Sequence, residues 1–244
     1  VIKRVLSAGL LTGLLVVICG ARVHTQTQGE VQGDAQAHVP AQAPLPRGLQ
    51  FAISAGMGVN YVNPGDVVDM INGTYKPSQR VDQFHAGADF FGSLRVQLSD
   101  RWAITAEYAY LLNSYNIESG FGPGEFTMTM HMPTLLAHYL FVTEPFYDLG
   151  IGAGIGYHFG TLSIKYSSID EPYTGSGPAM VMALTGNTAL SERVFVHLAG
   201  NLRWEFLGDV RNAAGKSPGV NAQGSPVTLS GFSAGVRIGM TVLL

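Results

Sequence analysis

Apolar residues alternate with small or polar ones along most of this chain. The clearest stretch spans 147–159. There Tyr147, Leu149, Ile151, Ala153, Ile155, Tyr157 and Phe159 share one parity, while Asp148, Gly150, Gly152, Gly154, Gly156 and His158 take the other. A period of two marks a strand whose two faces meet different surroundings. The same reading predicts eight strands in all, over 50–61, 83–99, 102–112, 126–142, 147–159, 179–190, 194–208 and 228–244. In the first, Phe51, Ile53, Met57, Val59 and Tyr61 face one way and Ser54, Gly56, Gly58 and Asn60 the other; in the second, Phe84, Phe90, Leu94, Val96 and Leu98 form the apolar face. The fourth carries a conflict of phase, because Met128, Met130 and Met132 share one parity and Tyr139 and Phe141 the other. A bulge near Pro133 is predicted to reconcile them and to keep His138 off the apolar face.

The connections alternate in length. Short turns are predicted at 100–101, 143–145 and 191–193, and long loops at 62–82, 113–125, 160–178 and 209–227. Counted up from the short turns, Tyr110, Tyr157, Trp204 and Phe232 reach similar heights, while Trp102 and Tyr147 lie beside the turns. Two aromatic girdles and this loop asymmetry are what a transmembrane barrel displays.

Composition decides which face is greasy for which reason. The chain has 244 residues, 46% apolar and only 13% charged, with 31 glycines. An ordinary soluble domain carries about 25% charge. A soluble ligand-carrying barrel would turn its apolar face inward and a Lys- and Glu-rich face to water, whereas the second face here is Gly, Ala, Ser and Thr. Small residues suit the crowded concave side, so the apolar face is assigned to lipid. The predicted fold is all-β: an eight-stranded antiparallel up-and-down transmembrane β-barrel over 49–244.

Two segments precede it. Lys3 and Arg4 followed by the apolar run 5–18 and the small residues Cys19, Gly20 and Ala21 read as a signal peptide over 1–21. Residues 22–48, rich in Gln, Ala and Pro without periodicity, read as a disordered leader. Removing Lys3 and Arg4 from the 14 basic residues leaves 12 against 17 acidic ones, a net charge of −5, which argues against nucleic acid as a partner. Cys19 is the single cysteine, so the predicted barrel has no thiol chemistry.

With these patterns in hand, residues 50–244 resemble the eight-stranded outer-membrane barrels of the OmpA and OmpX type. The resemblance rests on the glycine-rich stretch 146–160 and on the last strand, where Arg237, Gly239, Val242 and Leu244 resemble the C-terminal assembly signal of that family, which usually ends in Phe. It implies a bacterial outer-membrane location. Its implied partners are outer-membrane lipid, periplasmic chaperones and the barrel-assembly machinery.

The interior of such a barrel is assigned Asp89, Arg95, Glu107, Asp148, Arg203, Glu205 and Arg237, with His85, His158, His197 and His131. Eight strands enclose a space that side chains fill, so these charges are expected to pair. A three-residue turn centred on Arg101 would set Arg95 opposite Glu107, the pair expected first. His131 and His158 are placed as neighbours near the outer rim, but two imidazoles do not make a metal site. No metal or other cofactor is assigned. Asp66, Asp69, Asp170 and Glu171 read as solvated loop charge, the glycines at 150–156 miss the dinucleotide fingerprint, and Asn72, Gly73 and Thr74 match a glycosylation triplet by chance.

The functional reading is a non-enzymatic surface scaffold whose four extracellular loops, carrying Tyr75, Phe121, Tyr166 and Tyr173, serve adhesion or binding. Two alternatives stay open. One is a small passive pore along the glycine-lined wall. The other is a lipid A-modifying enzyme, although none of the histidines is followed two positions later by the serine that lipid A deacylases carry.

Overall fold

The computed structural model describes residues 50–82, 85–119, 122–167 and 169–244. The predicted signal peptide over 1–21 and leader over 22–48 lie outside the described residues, as do Phe84 and Phe121 and the side chain of His85. Strands β1 (Gln50–Asn63), β2 (His85–Gln97), β3 (Trp102–Ser119), β4 (Gly122–Glu144), β5 (Tyr147–Tyr166), β6 (Ile169–Ala189), β7 (Val194–Glu205) and β8 (Gly231–Leu243) pair antiparallel in chain order. β8 closes onto β1, so the sheet has no open edge through the barrel wall. A helix, α1 (Gly65–Met70), runs into a π-helical turn at Ile71–Tyr75 after β1.

The apolar face points out. Phe51, Ile53, Met57, Leu94, Ile104 and Ile155 are all exposed on the outer wall, Ile155 by 68%. A contiguous apolar belt of this kind has no place in water, and closure satisfies the backbone that lipid cannot. The inward-greasy ligand carrier is thereby excluded. No helix among the described residues is long and apolar enough to cross a membrane; the strands do it.

Two of the predicted loops are strand. Residues 113–119 and 122–125 form the upper part of a β3–β4 hairpin that stays paired to Ser119 opposite Gly122, and residues 160–166 and 169–178 form the upper part of a β5–β6 hairpin paired to Tyr166 opposite Ile169. The reason is an inversion of phase. In lipid the apolar side chains point outward, but above it they point inward: Tyr115, Ile117, Phe126, Leu162, Ile164 and Tyr173 are buried inside the wall. The same inversion resolves the conflict in β4. Met128, Met130 and Met132 face inward in step with Leu136 and His138, and no register shift occurs at Pro133; the bulge lies between Leu140 and Val142.

What the inward methionines meet is α1. Val67, Val68, Met70 and Ile71 are buried with Leu111, Phe126, Met128 and Met130, and from the last long connection Leu207, Val210, Val227 and Leu229 join them. Asp66 pins the two loops together, its carboxylate accepting from Thr228 N (3.2 Å), Thr228 Oγ1 (2.8 Å) and Asn221 Nδ2 (3.1 Å). Asn72 has a use other than a glycan: its amide donates to Val81 O (3.1 Å) and accepts from Val81 N (2.9 Å), closing the first loop on itself. The outer half of the barrel thus has a folded apolar core, not a mouth.

Interior glycines seat their neighbours' side chains. A Cβ at Gly58 would stand 2.2 Å from Val236 O and 2.7 Å from Arg237 Cγ, and one at Gly152 would strike the His138 imidazole at 2.7 Å, whereas Gly200 has open space. Gly58→Ala is therefore expected to cost about 1–3 kcal/mol through overpacking, and Gly200→Ala much less. Urea midpoints of the two variants refolded in lipid vesicles test this; equal midpoints would refute it.

Candidate functional site

The inner half of the barrel is polar. Asp89 on β2 and Arg237 on β8 are separated by β1, and both are register partners of Gly58. With no side chain between them they meet directly. Arg237 donates from Nε to Asp89 Oδ2 (2.8 Å), from Nη2 to Oδ1 (3.0 Å) and from Nη1 to Glu107 Oε1 (2.8 Å). Arg203 on β7 donates to Asp89 Oδ2 (3.3 Å) and lies 3.8 Å from Glu107 Oε1. The Asn60 amide gives Asp89 a further bond. Bidentate guanidinium–carboxylate geometry is the strongest such pairing, and here the carboxylate at its centre is 0% exposed. The Arg237 guanidinium also lies 4.9 Å from the centre of the Phe91 ring.

Nearer the short turns, Asp148 Oδ1 accepts from Asn187 Nδ2 (2.8 Å). Asn187 Oδ1 lies 2.8 Å from His197 Nδ1 and accepts from Thr241 Oγ1 (3.2 Å). Arg95 Nη1 is 3.9 Å from Asp148 Oδ1. The expected pair of Arg95 with Glu107 does not form. The hairpin closes through Leu98 N to Trp102 O (2.8 Å), which centres the turn on Asp100, so Arg95 stands opposite Thr105 and Glu107 opposite Ser93. A slip of two residues keeps both side chains inside but gives each a different partner.

Glu205 and His158 are buried together, Oε1 to Nδ1 3.9 Å, with Thr134 Oγ1 3.3 Å from His158 Nε2. His131 is not with them. It faces outward on β4, its Nδ1 2.6 Å from Tyr108 Oη and its ring 5.1 Å from that of Tyr110. Odd residues of β4 point outward as far as Phe141, so the imidazole pair is split between two faces of the sheet. Among the described residues no three His, Cys, Asp or Glu side chains come close enough to hold a metal ion.

Space inside is scarce. A cavity of about 30 Å³ is bounded by Ser93, Arg95, Thr105, His138, Asn201 and Arg237. That is room for a water or two. The glycine wall of β5 is filled by its neighbours, His138 over Gly152 and Leu229 against Gly160.

The other predicted residues lie on the surface. Trp102 packs against Tyr139 (ring centres 5.2 Å apart) at the level of the short turns, where Tyr147 is also exposed. At the other level Trp204 packs on Phe232 (5.4 Å) and Tyr157 on Phe159 (5.3 Å), with Tyr110 beside His131. Val242 and Leu244 are exposed, while Gly239, in the same last strand, brings β8 close to β1: a Cβ there would stand 2.4 Å from Ala55 O. Outside the bilayer, bonds from Asn212 and Tyr173 hold the Glu171 carboxyl below the usual carboxylate range. The residues that sequence reasoning did not assign to the site are Asn60, Asn187 and Thr241, which complete the polar network, and α1, which covers it. Uncharged polar residues on the glycine-bearing parity were the available signal for the first three.

Solved structures match this architecture. Neisserial surface protein A superposes with a TM-score of 0.50 at 14% identity, covering 79% of this chain and 96% of that one. The outer-membrane protein OprG of Pseudomonas aeruginosa gives 0.49 at 14% identity, covering 81% and 97%. At such identity the likeness is one of fold. No family model matches the sequence, and no curated protein does. The chain has the OmpA and OmpX type of eight-stranded fold, and its closed wall with an exposed apolar belt is that of a membrane-spanning barrel.

Proposed function

We propose that this barrel is a sealed, non-enzymatic scaffold of the bacterial surface, and that its binding role lies in the extracellular wall and loops. The observation that carries the reading is the double closure of the interior. An apolar core built on α1 fills the outer half, and guanidinium–carboxylate pairs fill the inner half. A pore needs one continuous wet path, and this interior offers a pocket for a water or two instead. Outer-membrane lipid is then the partner of the apolar belt. Periplasmic chaperones and the assembly machinery are the partners in biogenesis, with Arg237, Gly239, Val242 and Leu244 as the signal read in the last strand.

Planar bilayers test the seal. The refolded chain is expected to give no unitary current steps across ±100 mV, a range that does about 2.3 kcal/mol of work per charge. Reproducible ohmic steps from the parent protein would refute the sealed scaffold and favour the passive pore. Changes in the mass of lipid A that depend on the protein would favour the enzyme.

A further inference from the structure

The barrel wall is taller on one side. β1 and β2 end at Asn63 and His85, and β7 and β8 at Glu205 and Gly231, but β3, β4, β5 and β6 continue upward as paired strands. The inner face of this extension is occupied by the apolar core. Its outer face is ordered in rows by the register. Tyr110, His131 and Phe159 are cross-strand neighbours in the lowest row. The next row up is Leu112, Thr129, Thr161 and Thr174, and above it stand Ser114, Thr127, Ser163 and Pro172. A fourth row places Glu125, Lys165 and Asp170 side by side. Strands lie about 4.8 Å apart and rows about 6.8 Å, a lattice on the scale of a pyranose ring.

We infer that this outward face of β3 to β6 binds the saccharide headgroup of the outer leaflet's own glycolipid. Three observations carry it. The hydroxyl rows continue directly from the lipid-facing ring row, so they stand at headgroup depth. They face sideways, in the plane of the membrane, where a partner from solution would first have to displace the headgroups. The chemistry is that of sugar recognition: hydroxyls and a carboxylate to exchange hydrogen bonds, above aromatic faces that take C–H groups. Thr127 Oγ1 already donates to Glu125 Oε1 (3.1 Å), and Ser114 Oγ lies 3.3 Å from Thr127 Oγ1, so part of the face is held in place. Charge selects sugar over phosphate. In the top row Lys165 stands between Glu125 and Asp170, which repel a phosphate and accept from a sugar hydroxyl.

The test uses the full chain refolded into nanodiscs that hold equal amounts of lipid A and of the same glycolipid with its core sugars attached. Mass spectrometry then reads which one the protein retains. The parent is expected to retain the sugar-bearing form about tenfold over lipid A, the scale of a few hydrogen bonds. The variant T129V/T161V/T174V, which keeps shape and strand propensity, is expected to lose that preference while showing the parent's heat-modifiable gel mobility. Equal retention of both glycolipids by the parent overturns the inference, as does an undiminished preference in the variant. Equally tight binding of the free core oligosaccharide also overturns it, because the face would then read soluble glycans. None of these outcomes depends on whether the barrel conducts, so the inference and the sealed-scaffold reading fail separately.

Discussion

Asp89→Ala is expected to lower the stability of the folded barrel by about 3–5 kcal/mol, the cost of leaving a buried charge without its partner. The carboxylate takes two bonds from Arg237, one from Arg203 and one from Asn60. Without it, two guanidiniums that are almost wholly buried keep Glu107 as their shared carboxylate within ion-pair distance. Neither can reach bulk solvent without unpacking the layer around it. The double variant Asp89→Ala with Arg237→Met is expected to recover part of the loss, because it removes the stranded charge together with its partner. Urea titration in lipid vesicles, followed through the fluorescence of Trp102 and Trp204, measures both. A loss under about 1 kcal/mol in the single variant, the size of an exposed pair, would mean that water reaches the network.

Phe126→Ala is expected to cost a further independent amount of about 3–5 kcal/mol, the range for removing a buried aromatic ring. Phe126 is fully buried at the top of β4, and Tyr75 sets its ring edge-on 4.8 Å away while touching Tyr166 at 4.9 Å. The ring therefore joins the wall to the segment that follows α1. Its loss is expected to raise amide exchange over Gly65–Tyr75 well above the parent's while leaving the strands below the girdle protected. Conductance is expected to remain absent, since the polar layer stays whole. Unchanged exchange in α1 would show that the helix is held by its own contacts with the last loop and not by the wall.

Much of this molecule was legible in one dimension because a lipid-facing strand obeys a simple rule. Bilayer outside and crowded barrel inside force apolar and small residues onto opposite parities, and β1 and β5 display that rule without exception over their membrane spans. The aromatic levels followed from counting up from the turns. The rule failed where its premise changed. Above the hydrocarbon the surroundings exchange sides: a polar environment lies outside and folded loops lie within, so Tyr115, Phe126 and Ile164 point inward and the strand no longer looks like one. The three methionines of β4 are the visible trace of this change, and their phase alone predicts a bulge because the helix they pack on leaves no mark within the strand.

The pairing of charges was harder still. Parity put Asp89, Glu107, Arg203 and Arg237 inside, and that much is local, a property of each strand. Which charge meets which depends on register, and register depends on a turn whose centre moved from Arg101 to Asp100 and carried Arg95 two residues away from Glu107. The Asp89–Arg237 contact needs more again: two strands that are distant in sequence, closure of β8 onto β1, and a glycine at 58 to leave the gap between them. Amino-acid order by itself determined the membrane, the strand count and the two faces, because those follow from solvent and period. Partners across the lumen, the plug above it and the tall outward wall were decided only by the closed barrel, because each depends on residues brought together by closure and not by proximity along the chain.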